Sequence, residues 1–119
     1  MAGRGSRLKG AVGEREFFKL SNELIGEELF MRHPNPWHGR GKQDNHDPAG
    51  KLPVCVEVKR CETLALPKWI EQARSQSGAG QVPVLAYRRN KADWTILAIM
   101  DTNEWKEYLR WKLKNSQSS

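Results

Sequence analysis

No apolar run in this sequence approaches the roughly 20 residues a helix needs to cross a bilayer. The opening stretch MAGRGSRLKG also lacks the hydrophobic segment of a secretion signal. The chain therefore reads as cytoplasmic. Cysteine is scarce: Cys55 and Cys61 lie close together around one apolar stretch, a poor geometry for a framework disulfide, and both are expected as free thiols in a reducing compartment. Acidic residues are in deficit as well, 14 Asp and Glu against 20 Lys and Arg, which leaves a formal charge of +6 and a pI near 9.6. That balance points to a polyanionic partner such as nucleic acid, although charge alone would also suit anionic lipid. No internal repeat is visible. At 119 residues the chain is too short for a separate regulatory domain, so one domain over 1–119 is expected.

What is present is the material of a folded domain. Hydrophobic residues make up 38% and include five Trp, so wholesale disorder is unexpected. Residues 1–8, rich in Gly and Arg, and residues 115–119, NSQSS, read as loose tails. From Lys9 to Ile25 the segment KGAVGEREFFKLSNELI has helical periodicity. At about 100° per residue, Phe17, Phe18, Leu20, Leu24 and Ile25 share one arc, and Glu14 falls inside it. A buried carboxylate without a partner is strongly disfavoured, so a metal ion, Lys or Arg is required beside Glu14. Arg7 and Lys9 would supply a purely structural partner. Arg15 and Glu16 fall outside the arc, free to face solvent or ligand.

Residues 33–50, punctuated by Pro34, Pro36, Pro48, Gly39, Gly41 and Gly50, read as a loop or short irregular strand. Residues 52–61 then alternate, with Val54, Val56 and Val58 on one face and Cys55, Glu57 and Lys59 on the other. Pro67 opens a second helix that carries Trp69, Ile70 and Ala73 inward and stops before Gly78. Two strands follow, 82–88 and 94–100, joined by a polar turn and apolar enough to suggest burial on both faces. A last helix begins near Asp101, where Glu104 completes a capping box. Trp105, Tyr108 and Trp111 on it read as core and dimer-surface residues, while Arg110, Lys112 and Lys114 suit a phosphate backbone.

Three carboxylates stand out: Glu14 on the inward arc of a helix, Asp44 in the Gly-rich loop, and Glu57 mid-strand, two residues before Lys59. Hard divalent cations take oxygen ligands of this kind, and such a cation with a neighbouring Lys makes a compact phosphodiester-hydrolysing unit. Plainer readings exist for each residue. Glu57 and Lys59 together would suit an exposed ion pair. Asp47 competes with Asp44, but it precedes Pro48, which favours a turn role. Gln72, one turn beyond Trp69, is either a solvated helix residue or a site residue. His33, His38 and His46 with the two cysteines match no zinc-binding spacing.

The segments KGAVGERE (9–16), GKQD (41–44) and EVK (57–59) together resemble the PD-(D/E)XK nucleases, and within them the archaeal-type Holliday junction resolvases, including those carried by bacteriophages. The likeness runs over about residues 9–100. Its departures are Gln43 in place of the Pro of the family name and, ahead of Asp44, a family Arg that either Arg32 or Arg40 would match only with a gap. The resemblance implies an α/β restriction-endonuclease-like core, a mixed β-sheet flanked by α-helices. It implies Mg²⁺, with Mn²⁺ able to substitute, on Glu14, Asp44 and Glu57, and Lys59 acting on the attacking water. Gln72 looks like the helix Gln that relatives place beside the ExK strand, and Arg15, Arg32, Arg40, Lys42 and Arg60 are the candidate DNA contacts. It further implies a homodimer that cuts a four-way DNA junction symmetrically. Two alternatives remain: a nuclease of the same superfamily acting on other DNA structures, and a noncatalytic nucleic-acid-binding module.

Overall fold

The computed structural model describes residues 4–32, 44–47, 51–60 and 62–116, with side chains from Val12 onward. Along the chain the elements are α1 (Arg4–Ile25), β1 (Val54–Arg60), α2 (Leu66–Gln76), β2 (Val82–Arg88), β3 (Thr95–Ala98) and α3 (Thr102–Ser116). The order is the expected one. The helices reach further than the periodicity indicates, since α1 begins at Arg4 and α3 runs to Ser116, into both segments expected as tails.

The strands form one mixed sheet in the order β1-β2-β3. β1 and β2 run parallel, with Glu57 opposite Leu85 and Lys59 opposite Tyr87; β2 and β3 run antiparallel. The parallel pair needs a crossover, and α2 supplies it. Helix α1 covers the face that carries Val54, Val56 and Val58, burying Phe17 and Phe18 against Val84 and Ala86. Helix α2 covers the other face: Trp69 meets Tyr87 with ring centroids 5.9 Å apart, and the Cys55 thiol donates to the Gln76 carbonyl. Cys55 is a free, buried thiol, and burial pushes its pKa up to about 11; Cys61 lies outside the described residues.

Two local features set how α1 meets the sheet. A Cβ added at Gly13 would stand 3.1 Å from Cβ of Arg60, so the bare glycine permits the close approach of α1 to β1. At the other end Gly26, with φ +80°, donates its N–H to the Asn22 carbonyl and closes the helix in the left-handed conformation. The Asn22 side chain then takes the N–H groups of Leu29 and Phe30 and donates to the Phe30 carbonyl. This folds the chain back so that the Phe30 ring stacks on Phe18.

Three expectations of burial need correction. Phe17 and Phe18 are buried, but Leu20, Leu24 and Ile25 are exposed, because the last turns of α1 overhang the sheet. β2 is buried along Pro83–Ala86, as its apolar run suggests, whereas β3 is not. Its Ile96 is 58% exposed, since α1 and α2 lie over β1 and β2 only. Helix α3 has the capping box: the Asp101 carboxylate accepts the Glu104 N–H at 2.8 Å, and the Glu104 carboxylate accepts the Asp101 N–H at 3.2 Å. It nevertheless buries none of its residues, so Trp105, Tyr108 and Trp111 are not core. Among the described residues, no helix is long and apolar enough to cross a membrane.

Candidate active site

The site lies at the edge of β1 that β2 leaves open. Its two-residue period aims Glu57 and Lys59 to the same side, and the Lys59 ammonium stands 3.2 Å from a Glu57 carboxylate oxygen. Glu57 is only 3% exposed, because α2 covers this face of the strand. The pair is thus no solvated surface bridge.

Asp44 reaches the same strand through backbone contacts. Its N–H donates to the Val56 carbonyl at 3.2 Å, and its Oδ2 accepts the Val58 N–H at 2.6 Å. The next residue strengthens this zipper: Asn45, 1% exposed, accepts the Val56 N–H on its Oδ1 at 2.9 Å. On the outer side Arg32 bridges Asn45 in antiparallel fashion, and the His46 N–H donates to the Met31 carbonyl at 2.6 Å. These bonds tie residues 31–32 and 44–46 to one another and Asp44 and Asn45 to β1, and hold Asp44 beside Glu57.

Glu14 arrives from α1, next to the buried Phe17 and Phe18. It has a cationic partner, as its position calls for: Arg32 Nε donates to Glu14 Oε2 at 2.7 Å, while the side chains of Arg7 and Lys9 lie outside those described. Arg32 is thereby engaged by a site carboxylate.

Electrostatics bind these groups into one unit. Burial, then the charges of Glu57 and Glu14, raise the Asp44 carboxyl well above the ordinary carboxylate range, against the lowering effects of the Val58 N–H and Lys59. Glu57 is raised as well, first by burial and then by Glu14, with Lys59 opposing. Carboxylates at 14, 44 and 57 and the ammonium at 59 are therefore within electrostatic reach of one another. Among the described residues no three His, Cys, Asp or Glu side chains stand in ligating geometry for a metal, since Glu14 is turned to Arg32 and Glu57 to Lys59. The donor chemistry still fits a hard divalent cation: oxygen ligands only, with a mutual repulsion that such an ion would relieve.

The remaining candidates separate. Gln72 is half-buried on α2, the helix over the Glu57 face, and Arg15 is exposed on α1. Arg60 sits on the opposite face, where its guanidinium bridges Glu16 at 3.1 Å and donates to Asn90. Arg88 takes the other Glu16 oxygen at 2.8 Å and lies over the Trp94 ring. Arg40 and Lys42, like His33 and His38, lie outside the described residues. Asp47 has the turn role: its carboxylate accepts the N–H groups of Lys51 and Leu52 and a bond from the Gln81 amide. Asn45 and Asn22 escaped the sequence reading. Their partners are backbone groups distant along the chain, and an Asn beside a candidate ligand is the only local hint.

A family described as "Phage putative PDDEXK endonuclease" matches residues 5–117. No curated protein and no solved structure matches the chain. The mixed three-stranded sheet with its three helices is compatible with the restriction-endonuclease-like core of that superfamily, whose members generally use divalent metal ions. Its match spans nearly the whole chain, including α1, the Asp44 segment and the Glu57–Lys59 strand, so this protein belongs to the phage PDDEXK endonuclease family.

Proposed function

We propose that this chain is a Mg²⁺-dependent endodeoxyribonuclease that resolves four-way DNA junctions, acting as a homodimer in the cytoplasm of the phage's host. The observation that carries the nuclease chemistry is the arrangement on β1. A nearly inaccessible Glu57 is paired with Lys59, and Asp44 is clamped to the N–H of the residue between them. Asp44, Glu57 and Glu14 would hold the cation, which supplies a more acidic bound water, a polarised phosphoryl oxygen and compensation for charge on the leaving oxygen.

The chain's own groups do the rest. Lys59, a quarter exposed at the rim, orients the attacking water and presents positive charge to the phosphate as negative charge builds there. The Val58 N–H holds one Asp44 oxygen, leaving the other for the ligand. Arg32 neutralises Glu14 until a cation takes that role. A net charge of +6 draws the DNA in, and Arg15, exposed on α1, would meet a phosphate. Preference for the junction rests on the likeness of KGAVGERE, GKQD and EVK to the resolvases.

The deciding experiment offers four-way, flap, Y-shaped and linear DNA to the purified protein with Mg²⁺. Symmetric nicks confined to the four-way substrate support the proposal. Equal cleavage of all four replaces the resolvase with a general nuclease of the same family. Binding in EDTA with no cleavage on adding Mg²⁺ or Mn²⁺ overturns both in favour of a binding module.

A further inference from the structure

Helix α3 displays apolar surface that the other described residues leave uncovered. Trp105, Tyr108 and Trp111 form a ladder along one side of it, with ring centroids 5.9 and 6.2 Å apart, and are 51%, 38% and 58% exposed. Leu109, 38% exposed, borders the patch next to Trp105. A fully covered aromatic side chain removes about 150–250 Å² from water, so this stripe leaves on the order of 500 Å² of apolar surface per chain. That is close to the largest patch of an ordinary monomer, about 300–600 Å², and a substantial part of the roughly 800 Å² each partner contributes to a stable interface. Between α3 and residues 80–82 a groove of about 670 Å³ lies open, lined by Tyr108, Trp111 and Met100 together with Gln81, Glu104 and Glu107, with room for an incoming ring.

The stripe is nearly symmetric about Tyr108. Trp105 and Trp111 lie three residues to either side of it, and Glu104 and Lys112, of opposite charge, lie four residues to either side. At about 100° per residue all five fall within roughly one third of the helix circumference, with Lys106 and Arg110 on the far side. A twofold axis brings equal positions of two helices together. If the helices ran parallel, Glu104 would meet Glu104 and Lys112 would meet Lys112. Antiparallel, with the axis at Tyr108, each Trp105 meets a Trp111 and each Glu104 meets a Lys112.

We infer that the occupant of this face is the α3 of a second copy of the chain, packed antiparallel about a twofold axis through Tyr108. The inference builds on the proposed pairing of two active sites by naming the surface that joins them. Because no residue of α3 is among the carboxylates and Lys59 of the proposed site, the dimer and the chemistry can fail separately.

Sedimentation equilibrium of the full chain without DNA or metal is the test. The wild type is expected to be a dimer at micromolar concentration, and Trp111→Asp a folded monomer with an unchanged far-UV spectrum. Lys112→Glu sets two like-charged contacts into each dimer and is expected to weaken it about tenfold or more; adding Glu104→Lys to the same chain restores the contacts in reverse and most of the affinity. The loss of the Glu104 cap cannot mimic that recovery. A monomeric wild type, a dimer indifferent to Lys112→Glu, or a double variant no tighter than Lys112→Glu would overturn the inference. A monomer that still cleaves DNA with Mg²⁺ leaves the nuclease reading intact, and a dimer that cleaves nothing does the reverse.

Discussion

Two charge clusters flank β1, and they are balanced in opposite senses. Under α1, a single carboxylate, Glu16, lies between the guanidinium groups of Arg60 and Arg88, so each of its oxygens has a cationic donor. At the open edge, Glu14, Asp44 and Glu57 share Arg32 and Lys59, and burial raises the pKa of both Asp44 and Glu57. The first cluster sets two guanidinium groups against one carboxylate and pins α1 to β1 and β2, with Nε of Arg60 and of Arg88 buried and unbonded. The second is short of positive charge, which a divalent cation would supply. Neighbouring residues of one strand, Lys59 and Arg60, thus serve opposite ends because alternation sends them to opposite faces.

The sharpest way to break this comparison is to neutralise each cluster in turn. Asp44→Asn and Glu57→Gln are expected to lower cleavage about a thousandfold or more while gel shifts show junction binding retained. A variant that cuts at the parental rate removes that residue from the site. Asn45→Ala leaves the buried Val56 N–H without its acceptor and is expected to cost about 1–3 kcal/mol in urea unfolding. It should also weaken Mg²⁺ binding, since Asp44 loses its anchored neighbour; calorimetric titration of the metal checks this. Glu16→Gln, which sets two partly buried arginines against each other, is expected to cost about 1–2 kcal/mol of stability with cleavage per folded molecule unchanged. If Glu16→Gln cut activity as deeply as Asp44→Asn, the two clusters would not be distinct.

The smallest expected effect concerns pH. Asp44 and Glu57 have raised native pKa values, so over the range between the ordinary carboxylate pKa and the raised one the native state binds more protons than the unfolded state. Metal-free stability is therefore highest at the acid end of that range and falls as pH rises through it. A cation that replaces the protons reverses the trend: Mg²⁺ should raise Tm by a few degrees near about pH 8 and hardly at all near about pH 5, and Asp44→Asn should lose the gain. Equal stabilisation at both pH values would separate Mg²⁺ binding from these carboxylates.

Much of this frame is legible before folding is considered. The alternation of residues 54–60 and the apolar run 82–88 mark β1 and β2, and Pro67 and Gly78 bracket α2 because proline and glycine constrain backbone dihedral angles locally. Glu14 shows itself as a charge within an apolar arc. What was not legible depends on distant partners. Arg32 is a candidate DNA contact in the sequence and a Glu14 ligand in the fold; Arg60 is another such candidate and proves to be a partner of Glu16. Leu24, Ile25, Ile96 and Trp105 are as apolar as core residues, and only the positions of α1 and α2 over the sheet decide that they are left outside.

By itself the sequence determined the periodicities, and through them which side chains share a face: Glu57 with Lys59, and Trp105 with Tyr108 and Trp111. Those relations follow from the repeat of strand and helix, set by backbone sterics within a few residues. Tertiary structure alone decided that Asp44 meets Glu57, that Arg32 meets Glu14, and that the aromatic side of α3 stays uncovered. These depend on hydrogen bonds and packing between segments far apart along the chain, whose relative placement no local period encodes.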